Sequence, residues 1–181
     1  MIEFLDAAIQ EEYASPHAGT VLLDTLELQH PAFVNASGFL EYPRVVIDED
    51  DWWLKLEADA VDWPNQLVLF QACAFEWTPP SHEEGALGEA KVAVDNVSRI
   101  LRPYLDKATA EPAPIKCIYR QYRASDPNTV VARYRGLELH SVTMTGSRVE
   151  GTLKFRDLTS RAFPRKYFTI QEFPALGNLY L

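Results

Sequence analysis

The sequence has little that could support covalent or metal chemistry. Its 181 residues include two cysteines and four histidines, and neither type is clustered at the short spacings that zinc sites use. It has no phosphate-binding glycine loop, no His-Glu-x-x-His motif and no Gly-x-Ser-x-Gly nucleophile elbow. We therefore expect no catalytic, cofactor-binding or metal-binding residues, and no enzymatic activity.

Long apolar segments are also missing. No run approaches the ~18 residues that a membrane-spanning helix requires, so we expect no membrane insertion. The first residues are acidic and amphipathic, whereas a secretory signal has a basic start followed by an apolar stretch. We therefore expect synthesis and residence in the cytoplasm.

Positive charge is scarce relative to negative charge. The 17 Lys and Arg are outnumbered by 26 Asp and Glu, which gives a formal net charge of −9. Proteins that bind nucleic acid neutralise phosphates with basic side chains, so this chain would be repelled by that polyanion. The same balance disfavours anionic membrane surfaces. We therefore predict no specific nucleic-acid binding.

Apolar and aromatic residues are abundant, at 47% and 12%. This content is sufficient to bury a substantial core and argues against global disorder. We predict a single module over residues 1–181. The alternative is two interleaved small β-barrels, at about residues 17–110 and 111–181.

The two cysteines are predicted to be inert. Cys73 and Cys117 each lie in an apolar, strand-like segment, which favours buried free thiols over a disulfide in a cytosolic chain. Lys116 beside Cys117 could suggest an activated thiol, but neighbouring residues of a strand point to opposite faces of the sheet.

Two helices are predicted. Ile2, Leu5, Ile9 and Tyr13 recur at three- and four-residue spacing, which indicates an amphipathic N-terminal helix over residues 2–14. Such a helix packs on its own domain or docks on a neighbouring subunit.

The second helix is short and lies near the middle of the chain. Asp95 or Asn96 can cap its first turn, and Pro103 restricts its length or makes it restart. A proline- and alanine-rich linker follows at residues 110–114.

The rest of the pattern is β. Alternating or continuous apolar segments bounded by turn residues predict strands at residues 21–28, 33–34, 45–47, 52–57, 66–77, 88–94, 115–123, 130–135, 137–145 and 148–157. Breaks are expected at Gly136 and at residues 146–147. Many short strands with few helices predict a mainly β fold in which antiparallel sheets close as a barrel or sandwich.

Three features allow a functional or a structural interpretation. The acidic run at residues 48–51 could bind a cation, but it lacks the spacing of a calcium loop, so a solvated turn is favoured. His140, inside a predicted strand, is expected to be a half-buried structural histidine. The polar loop at residues 81–88 is expected to face a partner.

The four tryptophans could form a sugar-stacking platform on a β-scaffold. Tryptophans beside leucine-rich strands more often fill cores or subunit interfaces, and we favour that interpretation. The residues concerned are Trp52, Trp53, Trp63 and Trp77.

From residue 75 onward the sequence resembles a family of small phage and prophage tail proteins of unknown function. A Phe-x-Trp strand with a proline end, a Val-Asp-Asn-Val segment, a Val-x-Met-Thr-Gly segment and two Phe-Pro pairs carry the resemblance. These residues are Phe75, Trp77, Pro79, Val94 to Val97, Ser125 to Pro127, Leu137, Leu139, Val142, Met144 to Gly146, Gly151, Leu153, Phe155, Asp157, Leu158, Phe163, Pro164, Phe173 and Pro174.

The first 75 residues match by layout alone, and that layout is similar to the N-terminal part of the lambda-type minor tail protein L. The resemblance implies a tail-hub-like fold in a tail-tip hub or distal tail ring, between the tail tube and the central fibre or baseplate. It implies a homo-oligomer (a trimer for a hub, a hexamer for a distal ring), contacts with tail tube, central fibre or tip and tape-measure proteins, and a virion location after assembly in the host cytoplasm. The lambda-type hub carries a cysteine-rich iron–sulfur region, whereas the two cysteines here are far apart, so no cluster is implied.

Two functions from other classes stay open. One is a carbohydrate-binding β-module for host-surface recognition, which the tryptophans would serve. The other is a cell-wall hydrolase, which needs two placed carboxylates. With 26 acidic residues, a pair of carboxylates in the sequence does not identify a catalytic site.

Overall fold

The computed structural model describes residues 4–5, 21–35, 37–80, 88–95, 101–145 and 148–155. Within these ranges the chain forms ten strands and one helix. They are β1 (Phe4–Leu5), β2 (Leu22–Gln29), β3 (Arg44–Val46), β4 (Trp52–Lys55), β5 (Leu67–Ala72), β6 (Phe75–Thr78), β7 (Glu89–Val94), α1 (Arg102–Ala108), β8 (Lys116–Arg123), β9 (Asp126–Thr145) and β10 (Arg148–Phe155).

The predicted mainly β fold is confirmed. The strands form one sheet in the order β4-β5-β3-β2-β8-β9-β10-β7-β6, and β1 pairs with β9 beside this path. The pairs are antiparallel except for β3 and β5, which run parallel, with Val45 opposite Gln71. The sheet is therefore mixed, and the expectation of antiparallel pairing alone is wrong at this pair.

The predicted N-terminal helix is wrong where the structure describes it. Phe4 and Leu5 form a strand, paired with Arg133 and Ala132 of β9. The remainder of residues 2–14 lies outside the described residues. Local helical periodicity is outweighed at these two positions by backbone pairing to a distant strand.

The long apolar run over residues 66–77 is two strands and not one. Cys73 donates its backbone N–H to Val46 O at 2.9 Å, and Ala74 accepts from Asp95 N–H at 2.9 Å. The chain thus leaves β5 near one end of the strand order and enters β6 at the other end within two residues. This connection brings the two ends of the sheet together, as in a barrel or sandwich.

A bulge replaces the predicted break at Gly136. Tyr134 lies opposite Tyr119, and Leu137 opposite Cys117, so two residues of β9 face Ile118 alone. Gly136 has φ +77°, a left-handed conformation that glycine adopts without steric cost. The strand therefore continues through the glycine with a local bend.

Two apolar cores lie on opposite faces of the central strands. The first contains Leu26 of β2 and Leu153 of β10, with contributions from β3, β6, β7, β8 and β9. The second contains Leu23 of β2 and Tyr122 of β8, packed against Phe70 of β5 and neighbours from β4. Central strands β2 and β8 are consequently covered on both faces, and β4 with β5 forms an outer layer.

The mid-chain helix is confirmed in type and is short. Helix α1 has Pro103 within its first turn, and Leu101 is its N-cap without a side-chain capping bond. Because Leu101 is the N-cap, the predicted capping by Asp95 or Asn96 is wrong for α1; residues 96–100 lie outside the described residues. The division into one module or two barrels also stays a prediction.

Candidate functional site

A broad groove opens on the outer layer of the sheet. It has a volume of about 940 Å³ and is bordered by the β2–β3 loop, by β4 and by the turn that leads into β5. Alternation along β4 and β5 buries Leu54 and Val68 and leaves Trp53, Leu67 and Leu69 facing outward. The same alternation that builds the second core therefore creates an aromatic and apolar outer surface.

The large side chains of this surface are unusually exposed. Trp53 is 61% exposed, Trp63 55% and Phe39 72%, and all three line the groove. Contiguous exposed apolar surface of this kind marks a ligand or protein contact more often than a free surface. We call this feature the aromatic groove.

Trp63 is held in a strained turn. Its φ is +56° and that of Asn65 is +59°. The turn is closed by Leu56 N–H donating to Gln66 O at 2.9 Å and Gln66 N–H donating to Trp63 O at 3.1 Å. A left-handed φ at a bulky residue costs on the order of 1–2 kcal/mol, and such strain concentrates at functional positions.

Buried polar groups underlie the groove. Arg44 donates from Nε to Glu27 Oε2 at 2.9 Å and its side chain is 10% exposed, while its Nη2 is buried without a hydrogen-bond partner. Asp62 Oδ2 is likewise buried without a partner. Burial raises the pKa of Tyr42, and the neighbouring Asp62 carboxylate raises it further. Asp62 also shares a side-chain hydrogen bond with Tyr42, so one Arg44 nitrogen and one Asp62 oxygen lie without a protein partner beneath the same surface.

The other two tryptophans pack into the protein. Trp77 stacks on Tyr119, with ring centroids 4.6 Å apart and planes at 10°, and borders the first core. Trp52 packs against the second core and donates from Nε1 to Asp48 Oδ2 at 2.7 Å. A core position is thus confirmed for Trp77 and Trp52. Trp53 and Trp63 are exposed in the chain, and for them a subunit interface stays a prediction.

A buried ion-pair network joins the outer layer to the central sheet. Arg120 and Glu27 are each 1% exposed, and Arg120 Nη1 lies 3.0 Å from Glu27 Oε2. Arg120 Nε donates to Glu57 Oε2 at 2.8 Å. Glu57 follows β4, so the network fixes the position of the layer that carries the groove.

The network continues toward the surface through β9. Arg133 Nη1 lies 3.3 Å from Glu57 Oε1 and 2.8 Å from Asp59 Oδ1, and Arg135 contacts Asp59 Oδ2 at 2.9 Å. Burial alone would raise the pKa of Glu57, but the hydrogen bond and charge of Arg120 and the charge of Arg133 outweigh it and lower that pKa. The arrangement stabilises ionised carboxylates and is not that of a general acid.

The cysteines are free and buried, as predicted. Burial raises the pKa of both thiols, which disfavours the nucleophilic thiolate. Lys116 is exposed while Cys117 is fully buried, so the sequence neighbour does not activate the thiol.

Among the described histidines, the structural role belongs to His30 and not to His140. His30 is 2% exposed; its Nδ1 accepts from Ala32 N–H at 3.1 Å and its Nε2 lies 2.9 Å from Ala113 O. His140 is exposed, so the prediction of a half-buried position for it is wrong. His17 and His82 lie outside the described residues.

Two carboxylates of the acidic run at residues 48–51 accept hydrogen bonds from neighbouring groups of the protein. Asp48 accepts from Trp52 Nε1, and Asp51 Oδ1 accepts from Ala72 N–H at 2.7 Å, so two of the four carboxylates brace the turn before β4. Within the described ranges there is no cluster of three or more metal-ligating side chains. The predicted partner loop at residues 81–88 lies outside the described residues except for Gly88.

The fold and the groove define a mainly β protein with exposed aromatic side chains on an outer layer that ion pairs join to the central sheet. The chain belongs to the family described as a domain of unknown function, DUF1833, whose model matches residues 8–168. A comparison with curated proteins gives no match. In the part of the chain that the structure describes, every helix is too short or too polar to cross a membrane.

Proposed function

We propose that the chain is a structural component of a phage tail tip. In this role it is a tail-hub-like subunit of a hub or distal tail ring, links the tail tube to the central fibre or baseplate, and forms part of the DNA channel. It assembles in the host bacterial cytoplasm and resides in the virion tail, with no enzymatic role.

This proposal is supported by the positions in the fold of residues that resemble the tail-protein family. Phe75, Val94 and Leu153 are buried in the first core, and Trp77 packs on its edge. These four residues of the resemblance therefore build the β-scaffold. A ring component needs a rigid scaffold with exposed contact surfaces.

The partners follow from that role. We propose a homo-oligomeric ring, with three copies favoured and six as the alternative, in contact with the tail tube, the central fibre or tip protein and the tape measure. The net charge of −9 suits a channel that DNA must pass without adhering, because like charges repel. A ring whose lumen proves basic would contradict this part of the proposal.

Native mass spectrometry over a concentration series tests the assembly. A trimer supports a hub, and a hexamer supports a distal ring. A monomer at every concentration, both alone and mixed with a tail tube protein, contradicts the proposal.

A second candidate function is supported by a specific observation. Trp53 and Trp63 lie exposed on one groove, which is the arrangement that a carbohydrate-binding β-module for host-surface recognition requires. The platform that we propose comprises these two tryptophans and excludes Trp52 and Trp77. Binding of cell-envelope polysaccharide to the purified protein tests it, and absence of binding contradicts it.

A further inference from the structure

We infer that the aromatic groove binds a neutral saccharide chain, whose rings stack on Trp53 and Trp63 and whose hydroxyl groups satisfy Arg44 and Asp62. This inference rests on the second candidate function and names its ligand class and recognition residues.

The stacking surface comes from two separate elements. Trp53 is on β4 and Trp63 is in the turn before β5, and more than half of each side chain is exposed. The C–H groups on one face of a sugar ring carry partial positive charge and are attracted to the negative face of an indole. A groove of about 940 Å³ lies at the upper end of the range for ligand sites, which suits an oligosaccharide better than one ring.

The strain at Trp63 is independent support. A fold optimised for stability alone would place glycine or asparagine at φ +56°, because a Cβ and a large ring are disfavoured there. The side chain is also half out of the protein, so packing against the core does not explain its presence. Binding a ligand through the indole does.

The buried polar atoms favour a polyhydroxy ligand. Arg44 Nη2 is a donor and Asp62 Oδ2 an acceptor, both without partners, and leaving such groups unsatisfied is unfavourable. A hydroxyl group both donates and accepts hydrogen bonds. One saccharide, directly or through a bridging water, can therefore bond to both Arg44 Nη2 and Asp62 Oδ2. Because both atoms are covered, this contact requires a small displacement of a lining side chain.

The charges of the groove favour a neutral ligand. Glu41 and Asp62 contribute carboxylates, whereas the one guanidinium that lines the groove, Arg44, is already paired with Glu27. An acidic or sulfated glycan would be repelled.

In the binding test, cellohexaose, chitohexaose and maltohexaose are each titrated into the full chain. Titration calorimetry and tryptophan fluorescence measure the binding. Saturable binding of at least one of these neutral hexasaccharides supports the inference if hexagalacturonate, which is acidic, binds about tenfold or more weakly than that hexasaccharide. If none of the three neutral chains saturates, the inference fails, whereas the second candidate function is decided separately by binding to cell-envelope polysaccharide. A decaproline peptide that binds while the saccharides do not overturns the inference in favour of peptide recognition.

Variants then locate the site. Trp53→Ala and Trp63→Gly should each weaken saccharide binding by about tenfold or more, and Asp62→Asn by several-fold. Trp63→Gly removes the strained φ, and the melting temperature of each variant, measured alongside, separates a loss of binding from unfolding. Val61→Ala shortens a more exposed apolar side chain outside the groove lining, and Asn65→Gly relieves the neighbouring left-handed residue. Both variants should bind as the wild type does.

The results of these variants distinguish saccharide binding by the protein from saccharide binding at the aromatic groove. Saccharide binding that survives both tryptophan variants leaves the second candidate function standing and overturns the groove as its site. Binding that requires the tryptophans but is unchanged in Asp62→Asn overturns the hydrogen-bonding role of Asp62.

Discussion

Close packing on the inner face of β10 determines which side chain residue 151 can carry. Gly151 lies between Leu139 and Val92, and a Cβ at this position would stand 2.6 Å from Leu139 Cδ1 and 3.4 Å from Val92 Cγ1. The first distance is too short for two carbons, so the partly buried Leu139 side chain would have to move.

We predict that Gly151→Ala destabilises the protein by about 1–3 kcal/mol, as overpacking of a core does. Urea denaturation measures this free energy of unfolding. The double variant Gly151→Ala/Leu139→Ala should lose less stability than the two single losses added together, because the shortened side chain makes room for the new methyl group. Strict additivity would show that the two side chains do not compete for this space.

At this scale, the sequence alone identified the inert thiols but not the exposure of the tryptophans. Trp53 lies beside apolar neighbours just as Trp52 does, and only strand register separates the two. Trp63 could have been suspected, because it precedes Pro64 and Asn65 in a turn-forming segment. Similarly, His30 and its acceptor Ala113 are 83 residues apart, and no local pattern signals that contact.

At the scale of elements, the bulge in β9 depends on the conformation of one residue. Gly136 has φ +77°, and a Cβ there would meet nothing within 4 Å. We predict that Gly136→Ala costs about 1–2 kcal/mol from backbone conformation alone. Gly136→Asn should cost less in the same denaturation experiment, because asparagine tolerates the left-handed region. Equal losses for both variants would argue against a conformational cause.

The attachment of the outer layer to the central sheet depends on Arg120. We predict that Arg120→Met destabilises the protein by about 3–5 kcal/mol, because Glu27 and Glu57 would be left as buried carboxylates without their shared partner. Arg135→Met is the control at the exposed end of the network and should change stability by less than about 1 kcal/mol. Chemical denaturation measures both, and similar losses would contradict the role of burial.

Most strands were predictable from alternation, whereas their partners were not. The 66–77 run appears as one strand because both of its halves are apolar, and only the bonds of residues 73 and 74 to Val46 and Asp95 show that it changes position in the sheet. At Phe4 and Leu5, pairing with β9 prevails over helical periodicity. Each correction comes from long-range backbone pairing, which local sequence does not encode.

The groove and the ion-pair network were not predictable for the same reason. Glu27, Glu57 and Arg120 are separated by 30 to 93 positions, and the groove is assembled from three segments. The sequence did indicate tryptophans on a β-scaffold, and so the residue type that the site uses. Which tryptophans lie together on one surface depends on the fold.

At the scale of the whole molecule, the network makes stability sensitive to acid. The pKa of Glu57 is lower in the folded protein than its ordinary value, so this group contributes stability above about pH 4.3, the ordinary glutamate pKa. That contribution is lost as the pH falls through the lower, folded value. We predict that Glu57→Gln is less stable than the wild type at pH 7 and that the difference shrinks below about pH 4. Thermal denaturation across this range measures it, and a difference independent of pH would contradict the linkage.

The tail-tip proposal concerns where the molecule works, and composition analysis and cryo-electron microscopy of tailed particles test it most directly. Particles produced from the genome that encodes the chain are predicted to contain it at the tail tip, as a ring of three copies or, for a distal ring, six. Particles with complete tails that lack the chain would contradict the proposal.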